Sequence, residues 1–282
     1  MRLPSGCPPP LAAVLEMHGV FHSEQRYWSH TTMSVLLRSD HPTSTRAYAR
    51  MIGQPGSWQP MTELAASVRT GRPAPMLDEV GGTFAYLARH PDQLAVFDEA
   101  MTAKAHADVG AILAAVDFSR YPTVADIGGG SGHLIRAIVD RHPDVRGVLV
   151  DLPQVIERVE PHERIESCAK DFFVDALPSA DMSILMQVIH DWDDTDAARI
   201  LAAVATATAP GATVMLFEWL LAEHPTDDAA NVLDVFMLAV TGGRERTAAE
   251  YTDLLDRTDF DVTNIRQVGG PMFAIQAERR HA

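Results

Sequence analysis

The chain has 282 residues, enough for one large α/β domain or for such a domain with a smaller one beside it. It carries 23 Lys and Arg against 38 Asp and Glu, a formal net charge of −15, which argues against nucleic acid or an anionic membrane as its partner. No apolar run approaches the roughly 20 residues of a bilayer span. The two cysteines, Cys7 and Cys168, are too far apart in sequence to indicate a disulfide framework or a metal site. We therefore expect a globular, cytoplasmic protein of enzyme size.

The first 90 residues predict mainly short helices. Proline and glycine dominate residues 1–10, which are expected to lack regular structure. After them the patterns predict, in order, a helix over 11–20, a short hairpin over 21–28, a helix capped by Thr31 or Thr32, and a helix over 61–70 ended by Gly71 and Pro73.

A long helix follows over residues 91–118. Apolar residues recur there at spacings of three and four, and Pro91 stands at the favourable first-turn position. This helix separates the first 90 residues from the rest of the chain. It predicts a linking helix over 91–120 between a region at 1–90 and a domain at 121–282.

Beyond Tyr121, short β-branched runs alternate with helical stretches. This alternation is typical of an α/β fold with a mostly parallel sheet covered by helices on both faces. Only Gly269, Gly270 and Pro271 separate the last two strands, so these must form an antiparallel hairpin at the sheet edge. The predicted strands cover 123–128, 145–152, 164–171, 182–189, 212–220, 260–268 and 272–279, and the predicted helices 132–142, 153–160, 195–208, 228–240 and 247–257, the last opened by a Thr247–Glu250 capping box.

A glycine-rich loop joins the first of these strands to its helix. Asp126 precedes it, and glycines stand at 128, 129, 130 and 132. The sixth position of a dinucleotide fingerprint would be His133 instead of glycine, and no P-loop lysine follows. An acid at this place repels a pyrophosphate but attracts an ammonium or sulfonium group. A tight turn without a ligand is the alternative.

Acids also end the next two strands. Asp151 ends the second strand, where a carboxylate can accept two ribose hydroxyls, and Asp171-Phe172 ends the third, where it can hold an adenine. Taken singly, each acid could equally cap a helix or a turn. Because the ends of neighbouring parallel strands open into one crevice, the three acids together indicate S-adenosylmethionine more than NAD.

These residues belong to a series of motifs that resembles the class I S-adenosylmethionine-dependent O-methyltransferases, similar to plant caffeic-acid and to bacterial polyketide and hydroxyneurosporene O-methyltransferases. The resemblance covers the chain from about Leu11. It implies a Rossmann-like domain of seven strands behind a winged-helix-like dimerisation domain with no DNA role. The motifs are Asp126–Gly132, Asp151-Leu152-Pro153, Asp171-Phe172-Phe173, His190-Asp191-Trp192-Asp193-Asp194 and Gly242-Gly243-Arg244-Glu245-Arg246-Thr247.

The resemblance also implies the residues of a site. Cofactor contacts are expected from Asp126, Gly128, Gly130, Asp151, Leu152, Asp171, Phe172 and Met186, and acceptor contacts from Asn231, Phe236 and Met237. Met186 stands where many plant relatives carry a cofactor-contacting lysine, which predicts altered affinity.

The chemistry requires a base, because a phenol with a pKa near 10 is mostly protonated at pH 7. His190 matches the general base of the family, and Glu218 and Glu245 match the acids that flank it. Glu245 could instead pair with Arg244 or Arg246, and Asp191 is expected to cap the following helix. The remaining histidines show no ligand spacing, so no metal site is predicted.

The sequence therefore predicts an S-adenosylmethionine-dependent O-methyltransferase acting on a hydroxyl of a small aromatic or polyketide-like molecule. The alternatives are a catalytically silent S-adenosylmethionine-binding paralogue and, less favoured, a winged-helix transcription factor. The N-terminal region looks shorter than in the family, so a homodimer is expected to be weak, with apolar faces of residues 11–20 and 91–118 partly uncovered.

Overall fold

A computed structural model of the chain describes residues 9–24, 27–224 and 229–281. The expected irregular segment at 1–10 therefore lies outside the described residues, except that Pro9 and Pro10 already belong to the first helix. Within the described ranges, no helix combines the length and the apolarity that a bilayer crossing requires.

The first half of the chain is a set of helices with one hairpin. The hairpin predicted at 21–28 is confirmed, with Phe21 paired to His30 in antiparallel register. Gly71 ends a helix in the left-handed conformation, as predicted, but the helix expected over 61–70 is two helices broken at Glu63. The elements are α1 Pro9–Met17, β1 Phe21–Glu24, β2 Tyr27–His30, α2 Thr32–Val35, α3 Arg46–Ile52, α4 Pro55–Thr62, α5 Leu64–Thr70, α6 Pro75–Asp78, α7 Thr83–Ala88 and α8 Pro91–Ala115.

The second half alternates strands and helices, as the sequence predicts. Its elements are β3 Thr123–Ile127, α9 His133–Arg141, β4 Arg146–Asp151, α10 Pro153–Ile156, β5 Ile165–Ala169, β6 Met182–Met186, α11 Asp194–Ala207, β7 Thr213–Leu221, α12 Ala229–Val240, β8 Arg246–Thr247, α13 Ala248–Asp256, β9 Phe260–Gly269 and β10 Met272–Arg279.

The strand order of the main sheet is β5-β4-β3-β6-β7-β10-β9. The pairs from β5 to β7 are parallel, whereas β10 is antiparallel to both β7 and β9, which confirms the predicted C-terminal hairpin at the edge. The two-residue strand β8 was not predicted; it pairs in parallel with Leu220 and Leu221 at the end of β7. It makes an eighth strand beside the seven expected.

Two apolar clusters cover the faces of this sheet. One includes Leu201 of α11 and Leu254 of α13, and the other includes Ile112 of α8 and Ile138 of α9. Burial of such side chains is the main stabilising term of an α/β domain. The expectation that α8 leaves its apolar face uncovered is wrong, because Val96, Ala100, Ala105, Val109 and Ile112 are buried. The α1 face is exposed, as expected, at Leu11, Val14 and Met17.

Candidate active site

A cavity of about 690 Å³ opens where the carboxyl ends of β3, β4, β5 and β6 face the helices of the first half of the chain. Open α/β sheets bind ligands in this crevice, because the strand ends leave room between successive loops. Its lining includes the glycine-rich loop, His190 and residues of α12.

The glycine-rich loop turns tightly over the end of β3. A Cβ on Gly129 would lie 2.6 Å from Cγ of Asp126, so only glycine permits the loop to fold back over this carboxylate. Gly128, Gly129 and Gly130 all line the cavity. The backbone of the loop is therefore the surface that a ligand meets.

Asp126 lies beneath that loop and not in the cavity wall. Its side chain is 1% exposed, and its carboxylate oxygens make no hydrogen bond with good geometry to the described residues. Burial, with a contribution from Asp151, raises the pKa of Asp126 to about 7, although the N–H of Ile135 opposes the shift. The direct contact with a cationic ligand expected from the sequence does not fit this placement, because the loop covers the carboxylate.

Asp151, in contrast, lines the cavity. One of its carboxylate oxygens accepts a hydrogen bond from N–H of Gly130 at 2.8 Å, and the other from N–H of Leu152 at 2.7 Å. Burial raises the pKa of Asp151 even though these two bonds favour the charged form. Each oxygen keeps a lone pair for a ligand, which is the arrangement that a pair of ribose hydroxyls requires.

Asp171 and Phe172 follow β5 and also line the cavity. The Asp171 carboxylate accepts a hydrogen bond from N–H of Phe173 at 2.8 Å. The ring of Phe172 stands edge-on to Phe173 and to Trp192, with centroids 4.9 and 5.9 Å apart. Together with Leu152 and Met186, these groups form a mostly apolar slot with a carboxylate at its side, which fits a flat heteroaromatic ring.

His190 lies in a single 3₁₀ turn, Ile189–Asp191, directly after β6. Its Nδ1 is 2.7 Å from Oε1 of Glu245 and 3.8 Å from Oε2 of Glu218. Both glutamates are fully buried, and Oε1 of Glu218 accepts hydrogen bonds from the N–H groups of Val188 and Ile189 at 3.2 and 2.9 Å. The two acids that the sequence assigned to His190 are therefore both beside it. Glu245 bonds to the histidine and not to the neighbouring arginines considered as alternatives.

The protonation of His190 follows from these acids. Burial alone lowers its pKa, but Glu218, Glu245 and Asp191 outweigh burial and raise the pKa to about 9. Burial in turn raises the pKa of Glu218 to about 7 and that of Asp191 to about 6, against the opposing effect of the histidine. The resting site thus favours an imidazolium held by carboxylates.

The sequence analysis expected Asp191 to cap the helix that follows, but Asp191 does not do so. The N-cap of α11 is Asp193, whose carboxylate accepts from the N–H groups of Thr195 and Asp196. Asp191 instead lies with its Oδ1 3.8 Å from Nε2 of His190 and lines the cavity. The expectation was wrong because three acids occur within four positions there, and only the chain direction after the 3₁₀ turn decides which one reaches the helix.

The loop that carries Glu245 approaches His190 very closely. A Cβ on Gly243 would lie 2.1 Å from the carbonyl oxygen of His190, so this position requires glycine. The N–H of Arg244 donates to the same carbonyl at 2.9 Å. The glycine before Glu245 therefore has a clear structural purpose, which is to bring the acid within hydrogen-bond reach of the imidazole.

The acceptor residues proposed from the sequence are only partly in the cavity. Phe236 and Met237 of α12 line it, whereas the half-buried Asn231, one and a half turns earlier, is not part of the wall. The rest of the apolar lining comes from the first half of the chain and was missed, since an apolar residue on a helix shows the same pattern whether it packs in a core or lines a cavity. It includes Tyr48, Met51, Phe84, Leu87, Phe97 and Met101.

The geometry around His190 would also permit a bound metal ion. One ligand atom each from His190, Glu218 and Glu245 lies within 4.8 Å of the others. The sequence analysis predicted no such group, because the three residues are far apart in the chain.

Comparison with known proteins identifies this architecture. A family model described as an O-methyltransferase domain matches residues 61–261. O-methyltransferase SfmM3 of Streptomyces lavendulae is 33% identical over 94% of this chain and 84% of its own length.

Two solved structures agree with these matches. The mitomycin 7-O-methyltransferase MmcR superposes with a TM-score of 0.86 at 30% identity, covering 96% of this chain and 82% of that one. NcsB1, an O-methyltransferase from neocarzinostatin biosynthesis solved with S-adenosylmethionine and a naphthoic acid, gives a TM-score of 0.81 at 28% identity, covering 96% and 84%. None of these matches supports the catalytically silent alternative. The chain thus belongs to the O-methyltransferase family and is an S-adenosylmethionine-dependent O-methyltransferase.

Proposed function

We propose that His190 is the general base that removes the acceptor's hydroxyl proton as the methyl group is transferred. The observation that carries this proposal is the 2.7 Å bond between Nδ1 of His190 and Glu245, which leaves Nε2, with Asp191 Oδ1 at 3.8 Å, as the ring nitrogen available to an acceptor in the cavity. A base positioned in this way typically contributes about 10²–10⁴-fold to the rate.

Glu245 and Glu218 act through the histidine. They orient the ring and favour the imidazolium that forms when the proton arrives. Their charge has a cost, because a histidine with a pKa of about 9 is already protonated at neutral pH. A positive charge bound beside the ring opposes the imidazolium, so we expect the pKa of His190 to fall, and a larger fraction of the ring to be unprotonated, when the sulfonium cofactor is in the cavity.

S-adenosylmethionine supplies a methyl group already activated for displacement. We propose that the backbone of Gly128 and Gly130 meets its amino-acid end, that Asp151 accepts its ribose hydroxyls, and that Leu152, Asp171, Phe172 and Met186 enclose its adenine. The hydrogen bonds that hold the Asp151 carboxylate at the cavity wall support this order of contacts. Asp126 would contribute only a charge from beneath the loop.

We propose a small aromatic or polyketide-like hydroxyl compound of secondary metabolism as the acceptor. Phe236 and Met237 of α12, with Phe84, Phe97 and Met101 from the first half of the chain, supply apolar surface to the cavity that His190 also lines. The naphthoic acid bound in NcsB1 is a compound of this class.

We also propose an organisation of the chain into two domains joined by a helix. Residues 1–90 would form a winged-helix-like substrate and dimerisation domain, 91–120 a linking helix, and 121–282 the methyltransferase domain, acting in the cytoplasm. The exposed side chains of Leu11, Val14 and Met17 support a weak homodimer through α1. Light scattering over a range of concentrations tests this, because a concentration-independent monomer would contradict it.

The test of the base is a series of substituted phenols assayed at one pH with wild type and His190→Ala. We expect turnover to fall about 10²–10⁴-fold for weakly acidic phenols and progressively less for phenols already ionised. Calorimetric binding of S-adenosylhomocysteine, nearly unchanged in the variant, serves as the control for folding. A ratio of rates that does not depend on phenol pKa would mean that His190 positions the acceptor and does not take its proton.

A further inference from the structure

A polar cluster outside the histidine site lines the same cavity. It consists of Lys104 and Asp108 on α8, Gln187 directly after β6, and Trp219 near the end of β7. The Lys104 ammonium is 2.9 Å from Oδ2 of Asp108, donates to Oε1 of Gln187, and lies 5.6 Å from the centroid of the Trp219 ring. None of these four residues was singled out by the sequence.

In the part of the chain that the structure describes, several hydrogen-bond donors of the cluster have no partner. Within the described residues, Lys104 bonds to Asp108 and Gln187, which leaves one of its three N–H donors, and the side chain is 21% exposed. The Gln187 amide nitrogen and the Trp219 indole nitrogen are buried and have no partner among the described residues. Buried donors without partners cost free energy, so the cluster is completed by a group that brings acceptors.

The backbone of Gln187 is held in an unfavourable conformation. Its φ is +52°, in the left-handed region that residues other than glycine rarely occupy, and its N–H donates to the carbonyl of Phe217 at 2.9 Å. Such a conformation is kept where the surroundings impose it, often at a functional site. Here it directs the amide toward Lys104.

Gln187 of the cluster directly precedes residues of the proposed site. Val188, the next residue, is the side chain that a Cβ on Gly128 would touch at 3.0 Å, and His190 follows two positions later. A ligand group at Lys104 is therefore near both the glycine-rich loop and the base. Because Asp108 already pairs with the Lys104 ammonium, the selectivity of this point comes from the N–H donors that have no partner within the described residues, which favour a ligand group with acceptor oxygens.

We propose that Lys104, supported by Gln187 and Trp219, is a carboxylate-binding subsite, an inference that rests on the proposed function. A carboxylate supplies the missing acceptors and forms a charge-assisted bond with the ammonium. Two molecules could bring it: the amino-acid end of the cofactor, or an acceptor that is itself an aromatic carboxylic acid.

The experiment measures discrimination between matched ligands by calorimetry. One pair is S-adenosylhomocysteine and its decarboxylated analogue; the other, with S-adenosylhomocysteine bound, is 3-hydroxy-2-naphthoic acid and 2-naphthol. We expect wild type to prefer the carboxylate in one pair, and Lys104→Met to reduce that preference about ten- to a hundredfold. The pair that responds identifies the source of the carboxylate.

Three further variants keep the result interpretable. Lys170→Met removes the only other lysine, also in the cavity wall, and should leave both preferences unchanged. The K104M/D108N double variant removes the carboxylate left unpaired by the first change, and the loss of preference should persist. Trp219→Phe, which keeps the ring and removes one donor, should reduce the preference a few-fold and substitutes for Lys104→Met if that variant does not fold.

Unchanged preferences in Lys104→Met, or no preference in wild type for either pair, would overturn the subsite. Failure of wild type to bind S-adenosylhomocysteine at all would instead contradict the proposed function. The two failures are therefore distinguishable in the same titrations.

Discussion

Arg246 bonds to Asp194 through two of its nitrogens, with Nε and Nη2 at 2.9 and 2.8 Å from the same carboxylate oxygen. The guanidinium is 1% exposed and also donates to the carbonyls of Ile189 and Trp192, at 3.2 and 2.9 Å. These carbonyls flank His190 on both sides. Hydrogen bonds from Arg246 thus connect the 3₁₀ turn that contains His190 to the loop that carries Glu245.

From this relationship we predict that Arg246→Lys lowers kcat about 10²-fold with a smaller change in KM. A lysine cannot bond to these three acceptors in this geometry, and misplacement of a base by about 1 Å has an effect of this size. Steady-state kinetics well below the melting temperature provides the measurement. Arg280→Lys is the matched control, because Arg280 is 34% exposed and pairs with Asp256 and Asp261, neither of which contacts Arg246 or His190. Equal losses in both variants would argue against a positioning role.

The pH dependence of the reaction should report the histidine. Because the flanking acids raise the pKa of His190 to about 9, the free enzyme holds the base in its protonated form at neutral pH, and kcat/KM should rise as the pH increases toward that value. Glu245→Gln removes a negative charge beside the ring, so the midpoint should move to lower pH. A profile from pH 6 to 10 for both proteins tests this shift. An unmoved midpoint would mean that another group controls the profile.

Asp151 should matter for cofactor affinity. Replacing it with alanine removes both acceptors offered to the cavity and should weaken S-adenosylhomocysteine binding by about 1.5–3 kcal/mol, the scale of charge-assisted hydrogen bonds. Calorimetry measures the change. Asp144→Asn, an exposed acid in the turn before β4, controls for the loss of one charge. Equal affinity of wild type and Asp151→Ala would exclude Asp151 from the site.

Asp126 should affect stability more than binding. Its pKa is raised from 3.8 to about 7, so the folded protein binds more protons than the unfolded chain over that interval, and this group lowers the free energy of unfolding as the pH rises. Asp126→Asn removes the dependence. Relative to wild type, the variant should gain stability between about pH 4 and pH 7, measured by denaturant unfolding at several pH values. A stability difference that is the same at each pH would show that Asp126 is charged throughout.

Chelation should leave the reaction unchanged. His190, Glu218 and Glu245 could hold a metal ion, but Nδ1 of the histidine already bonds to Glu245, and an activated sulfonium methyl needs no Lewis acid. Dialysis against EDTA followed by an assay without added metal checks this. Lost activity that a divalent ion restores would assign a metal to the three residues.

The alternating half of the fold was predicted closely from the sequence because its signals are local. β-branched runs that are buried on both faces identify β3, β4, β6 and β7 to within a few residues, and the Thr247–Glu250 capping box is confirmed in detail. The short helices α3, α6 and α7 were not predicted. Their apolar residues contact distant parts of the chain, so no periodic pattern marks them within so few residues.

The sequence predicted the site residues that match known motifs. It missed the residues that only tertiary contacts bring to the cavity. His190 and Glu245 lie in motifs that resemble those of the family, and the same resemblance assigned Glu218, whereas Tyr48 and Lys104 reach the cavity from helices that have no such signature. For Asp126, the motif was identified but the placement of the side chain was not. Its position at the end of β3 was read correctly, but which side of the loop its carboxylate occupies depends on how Gly129 folds over it.

The cavity wall formed by the first half of the chain is joined to α12 by hydrogen bonds. The N–H of Ala74 donates to the backbone carbonyl of Ala239 at 2.9 Å, and the Thr83 side-chain hydroxyl donates to the backbone carbonyl of Val240. The wall proposed to contact the acceptor is therefore attached to the end of α12, while His190 and the glycine-rich loop follow strands of the sheet. Redesign for larger or smaller acceptors can begin at Met51, Phe84 and Leu87 of that wall, because they lie on helices separate from the elements that hold His190, Glu218 and Glu245.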